Sequence, residues 1–172
     1  MDDKKKHILK AAMRVVIAYG FKRVSMADIA QEAGISRPAI YQIFRNKDDV
    51  FFSCLDMLVD EAFAAADAAI DGISDRKAQV SAYLLAYMGY FHNLLVAGPH
   101  GQELLDVNNR LGAEKSQAAQ ARFMTRLNGL MGLDAEAEDG QVLALAATGI
   151  KYHTADPAQF RARLQMLTER FL

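Results

Sequence analysis

A guanidinium, a phenol and a carboxamide fall within six residues, at Arg37, Tyr41 and Gln42. A guanidinium fits guanine O6 and N7 as a bidentate fork, and a carboxamide can pair with adenine. A phenol hydroxyl suits a phosphate oxygen, and the methyl of Ala39 could touch a thymine methyl. Arg37, Tyr41 and Arg45 are spaced four apart and share the outward face of a helix. Ile40, Ile43 and Phe44 fall on the opposite face and point into a core. Such a face can be placed in the major groove of a nucleic-acid duplex. Arg45 itself reads as a solvated surface charge.

Capping signals define the elements that carry these residues. Ser25 precedes an apolar-periodic run and Asp28 stands three residues on, a capping box that opens a helix over about 26–33. Ile29, Ala30 and Ala33 are its inward residues. Gly34 supplies the turn, since glycine accepts a positive φ at no steric cost. Ile35 fills that turn. Ser36 caps the next helix, and Pro38 is tolerated in its first turn, where backbone N–H groups lack partners anyway. Asn46 caps a third helix, with Asp49 three residues later.

The stretch from Ile8 to Phe51 resembles the DNA-binding domain of the TetR family of transcriptional regulators. The matching residues are Ala12, Gly20-Phe21, Ser25, Asp28-Ile29-Ala30, Ala33-Gly34-Ile35-Ser36, Ile40-Tyr41, Phe44 and Lys47. Pro38 stands where family members often have glycine. The resemblance implies that Ser25, Tyr41 and Lys47 hold the phosphate backbone. The full DNA-facing set is then Ser25, Ala27, Ser36, Arg37, Pro38, Ala39, Tyr41, Gln42 and Lys47.

Charge follows the same division. Residues 1–47 carry ten Lys/Arg against four Asp/Glu, and residues 48–172 carry ten against seventeen. Balances of +6 and −7 thus make up the net −1 of the chain, and the basic part is where a polyphosphate would bind. Lys4-Lys5-Lys6 reads either as a solvated tail or as a basic arm beside the motif. No apolar run approaches the ~20 residues of a membrane span. Lys10 and Arg14 interrupt any leader-like segment. The single cysteine, Cys54, suits a reducing cytoplasm and reads as a small buried hydrophobe.

The rest reads as helix throughout. The expected helices cover about 4–19, burying Ile8, Ala12, Val15 and Tyr19, then 47–70, 75–96, 101–111, 113–131, 139–154 and 157–171. The fold class is therefore all-α. A three-helix helix-turn-helix domain over 1–47 precedes a helical-bundle domain over 48–172. The last two helices are similar to the family's dimerisation hairpin, so a homodimer is expected. Two recognition helices ~34–36 Å apart would then read a palindrome.

Aromatic and apolar residues in the second domain suggest a pocket for a small hydrophobic effector, as the resembled regulators use. Its expected lining is Leu58, Tyr83, Tyr87, Phe91, His92, Phe123, Leu127 and Tyr152, with Tyr87, His92 and Tyr152 as polar handles. No P-loop, GxSxG, HExxH or CxxC pattern occurs. No enzyme activity, cofactor, metal site or catalytic residue is expected. The expected function is a DNA-binding transcriptional regulator, a repressor released from its operator by the effector. A dimer that binds DNA constitutively, with no effector, is the alternative.

Overall fold

The computed structural model describes residues 2–101, 103 and 113–172. The expected helix over 101–111 falls almost wholly outside them. Among the described residues the protein has eight α-helices and no strand: α1 (Asp3–Tyr19), α2 (Met26–Glu32), α3 (Arg37–Tyr41), α4 (Lys47–Ala68), α5 (Arg76–Val96), α6 (Ala113–Met131), α7 (Glu138–Tyr152) and α8 (Pro157–Phe171). They fall into two compact units. One comprises Met1–Asp60 with Leu95–Ser116, the other Glu61–Leu94 with Gln117–Leu172.

Local hydrogen bonds set the helix ends of the first unit. The Ser25 hydroxyl accepts from the Asp28 N–H, and the Asp28 carboxylate accepts from the Ser25 N–H at 2.8 Å. A cap of this kind contributes ~1 kcal/mol. Gly34, at φ 65°, turns the chain between α2 and α3. Ser36 caps α3 by accepting from the Ala39 N–H, with Pro38 in the first turn. Asn46 opens α4 by accepting from the Asp49 N–H at 2.8 Å. The core beneath these elements gathers Ile8, Leu9, Ala12, Val15 and Val16 of α1, Ile29 and Ala30 of α2, Ile40 of α3, and Phe44, Val50 and Phe51.

Two expectations need correction here. Tyr19 is 62% exposed, because it ends α1 at the Gly20 cap, and Leu9 and Met13 bury in its stead. The recognition helix also closes at Tyr41, so Arg45 is not a third residue of one helical face. The Arg45 N–H donates to the Asp49 carboxylate, which ties it to the start of α4. Lys4, Lys5 and Lys6 lie within α1, whose first turn Asp2 caps, rather than on a loose tail.

The second unit centres on α5. Val80, Tyr83, Leu84, Tyr87 and Met88 are buried with Phe63 of α4, Phe123 and Leu127 of α6, Leu143 and Ala147 of α7, and Phe160 and Leu164 of α8. Asn128 of α6 fastens the turn into α7, its amide donating to the carbonyls of Ala135 and Ala137 at 3.0 Å each. Gly140 packs directly on that amide and leaves no space for a larger residue. Asp156 caps α8 through the Ala158 N–H.

Candidate functional site

The short helix α3 is fixed from below by Ile40, which is fully buried, and outward it presents Arg37, Pro38, Tyr41 and Gln42, all exposed. Ala39 is half-buried, and Ser25, Ala27 and Ser36 are exposed at or near the helix starts. The Arg37 guanidinium lies 5.9 Å from the centre of the Tyr41 ring. A planar cation leaning on an aromatic face is partly pre-oriented, so less side-chain freedom is lost when it meets a base edge. His7 of α1 hydrogen-bonds the Ala33 carbonyl at 3.2 Å, where α2 ends and the turn to α3 begins. Arg14 of α1 pairs with Glu32 of α2 at 2.7 Å.

Lys47 is placed differently from a plain phosphate ligand. Its ammonium donates to the carbonyls of Phe21 and Val24 at 2.7 and 2.8 Å, and it lies 4.4 Å from the centre of the Phe21 ring. Two of its three protons are thus spent on the loop that delivers Ser25. That loop is held from a second side by a contact the sequence did not reveal. The Lys22 N–H donates to the Glu103 carboxylate at 3.2 Å, and His100 pairs with the same carboxylate at 3.3 Å. A Cβ on Gly20, which has φ +85°, would sit 2.5 Å from Glu103 Oε2. The Asp28 and Asp49 carboxyls are held below the ordinary carboxylate range, Asp28 by its hydrogen bonds from Ser25 and Asp49 by the Arg45 N–H.

The expected effector-binding residues divide. Tyr83, Tyr87, Phe91 and Phe123 come together with Phe63 in the second unit. The Tyr87 and Phe123 rings stack at 4.1 Å between centres, and Tyr83 stacks on Phe123 at 6.0 Å. Phe63 and Phe91 meet Tyr87 at 4.9 and 5.4 Å. Leu127 is buried in the same unit, whereas Leu58 is buried in the first. His92 is fully buried on a different side of α5, bonded to the Thr154 carbonyl at 2.6 Å and stacked 4.0 Å from Phe160. Tyr152 is exposed, with Lys151 over its ring. Neither handle joins the aromatic cluster. Two cations do. The Arg122 guanidinium lies 3.9 Å from the Phe63 ring centre, and Arg126 lies 5.8 Å from that of Tyr83 while donating twice to Asp67.

Cys54 is buried, and burial pushes its thiol up to about 12, which leaves no thiolate for chemistry. Among the described residues no group of three or more His, Cys, Asp or Glu could hold a metal ion. Nor is any described helix long and apolar enough to cross a membrane.

Residues 8–54 match the family described as bacterial regulatory proteins, tetR family. The chain is 36% identical over 72 residues to the HTH-type transcriptional regulator EthR of Mycolicibacterium smegmatis, covering 42% of this chain and 33% of that protein. It is 26% identical over 124 residues to the HTH-type transcriptional activator FasR of the same organism, covering 72% and 54%. The chain thus spans between a third and about half of these relatives' lengths. Its fold is similar to the crystal structure of a transcriptional regulator from Cytophaga hutchinsonii, with a TM-score of 0.78 at 17% identity over 99% of this chain and 97% of that one.

Proposed function

We propose that this chain, a member of the TetR family of bacterial regulatory proteins, represses transcription as a homodimer bound to a palindromic DNA operator. A small hydrophobic effector would release it. The observation that carries DNA reading is the exposed face of α3, where Arg37, Tyr41 and Gln42 stand over the buried Ile40. Arg37 and Gln42 supply base contacts, while Tyr41 and Ser25 supply phosphate contacts. Lys47 fixes the loop ahead of Ser25 and keeps one proton for a phosphate. In this reading residues 1–47 read DNA and residues 48–172 sense the effector and pair the subunits. Chromosomal DNA as the partner puts the protein in the cytoplasm.

Dimerisation through α7 and α8 is supported by what they leave uncovered. Val142, Leu145 and Tyr152 are exposed at three- and seven-residue spacings along α7, and Met166 is exposed on α8. An apolar stripe of this kind belongs under a second helix pair. Effector binding is supported by the aromatic cluster around Tyr87. Repression is the family's commoner habit, although one relative is named an activator.

Titrating a labelled fragment of the protein's own promoter, with and without hydrophobic candidates, tests the reading. Binding that an apolar compound reverses supports it. Binding that no compound alters favours the constitutive dimer. Absence of binding refutes both.

A further inference from the structure

Tyr83 is fully buried on α5, and its hydroxyl proton has no acceptor among the described residues. Buried phenols nearly always find an acceptor, so a solitary one marks a place where something else supplies it. The neighbouring Arg126 cannot do so. A guanidinium only donates, twice to Asp67 and also toward the Tyr83 oxygen, so the phenol proton still has no acceptor. Burial pushes the Tyr83 hydroxyl up to about 12, so it remains a donor across the physiological range. On one side the ring is covered by Phe123, itself stacked on Tyr87. An O–H at the edge of such an apolar cluster fits an oxygen carried by an otherwise apolar molecule.

Two other buried polar atoms also lack partners among the described residues, and neither offers an equivalent place. Asn128 Oδ1 is packed against Gly140. His92 lies nine residues after Tyr83, about half a turn around α5 at ~100° per residue. It meets Thr154 and Phe160 instead. Its Nε2 carries the proton given to the Thr154 carbonyl and its ring is stacked on Phe160, so it stands apart from the aromatic cluster.

We infer that the effector is an apolar molecule bearing a carbonyl-type oxygen, and that Tyr83 recognises this oxygen by donating its hydroxyl proton. This rests on the ligand-responsive reading above and names the chemistry of its ligand. It also replaces the expected handles, His92 and Tyr152, with Tyr83.

Matched probes separate the inference from that reading. Acetophenone and α-methylstyrene form one pair of nearly equal shape, and methyl octyl ketone and its 1-alkene isostere, with C=CH2 for C=O, form another. Each is titrated calorimetrically into the full chain, wild type and Tyr83→Phe, and each is tested for release of the protein's own promoter fragment. At least one ketone is expected to bind wild type roughly three- to tenfold more tightly than its hydrocarbon isostere, the value of one neutral hydrogen bond. Tyr83→Phe should erase that preference. Without ligand, Tyr83→Phe should melt close to wild type, because the phenol proton has no acceptor to lose. A clear loss of stability in ligand-free Tyr83→Phe would overturn the inference by showing that the phenol proton has an acceptor. Hydrocarbons that bind and release DNA as well as the ketones overturn it while leaving the ligand-responsive reading intact. If no probe binds or releases DNA, that reading falls and the inference with it.

Discussion

Replacing Lys47 with Met separates two roles that one ammonium can play. Met keeps the stem over Phe21 and deletes both bonds to the loop carbonyls. A hydrogen bond from a charged donor is worth ~1.5–3 kcal/mol when buried. Lys47 is half-buried, which lowers each bond to ~1 kcal/mol. The cation over the Phe21 ring adds ~0.5–1 kcal/mol. Together these give a destabilisation of ~2–3 kcal/mol. In a chain of this size that lowers Tm by roughly 4–12 °C, at about 2–4 °C per kcal/mol. Thermal unfolding followed by circular dichroism measures it, and hydrogen exchange at the Lys22 and Val24 amides localises it to the loop. A Lys47→Met protein that melts like wild type, yet loses about one unit of salt slope in DNA binding, would overturn the structural role. Lys47 would then be a phosphate ligand alone.

Other perturbations test neighbouring parts of the account. Arg37→Ala should cost roughly 1–3 kcal/mol on the cognate site and little on scrambled DNA, as measured by fluorescence anisotropy. Acidification should weaken the first unit through Asp28 and Asp49. Both are depressed in the folded state, so their contribution is whole above the unfolded value and is lost as pH falls through the folded ones. Asp28→Asn should therefore flatten the acid limb of the stability profile. Burial lowers Lys151 from 10.5 to about 8. Between pH 8 and 10.5 the unfolded chain binds the extra proton, so stability should rise from pH 8 toward 10. Above that, Tyr83, Tyr87 and Tyr90, all raised from 10.0, reverse the trend. Lys151→Met should remove the rise. Leu145→Asp on the exposed stripe of α7 should convert the proposed dimer to monomer in sedimentation velocity, and an unchanged species would place the interface elsewhere.

The parts of this protein that were legible in the sequence are those fixed by hydrogen bonds between near neighbours. Ser25 with Asp28, Ser36, Asn46 with Asp49, and Asp156 each satisfy an N–H within about three residues, so type and spacing determine them. The outward placement of Arg37 and Tyr41 followed from helical period over one turn. Period misled where the helix stopped, since it gave no reason to end α3 at Tyr41 or to expose Tyr19. Contacts across long separations left no local trace. Nothing near Lys47 announces the Phe21 and Val24 carbonyls, and nothing near Lys22 announces Glu103, 81 residues on. The effector-binding set was grouped by composition, which does not say that His92 turns toward Thr154 while Tyr83 and Tyr87 share the opposite side.

On the reading proposed above, α3 presents Arg37 and its neighbours to duplex DNA in a two-fold arrangement. Selection from a randomised duplex pool, run side by side with wild type and Arg37→Ala and followed by hydroxyl-radical footprinting, tests it most directly. Wild type should enrich an inverted repeat with half-site centres about 10 base pairs apart, or a multiple of that. Arg37→Ala should relax one base position in each half. A pool without symmetry, or an Arg37→Ala pool identical to that of wild type, would contradict that reading.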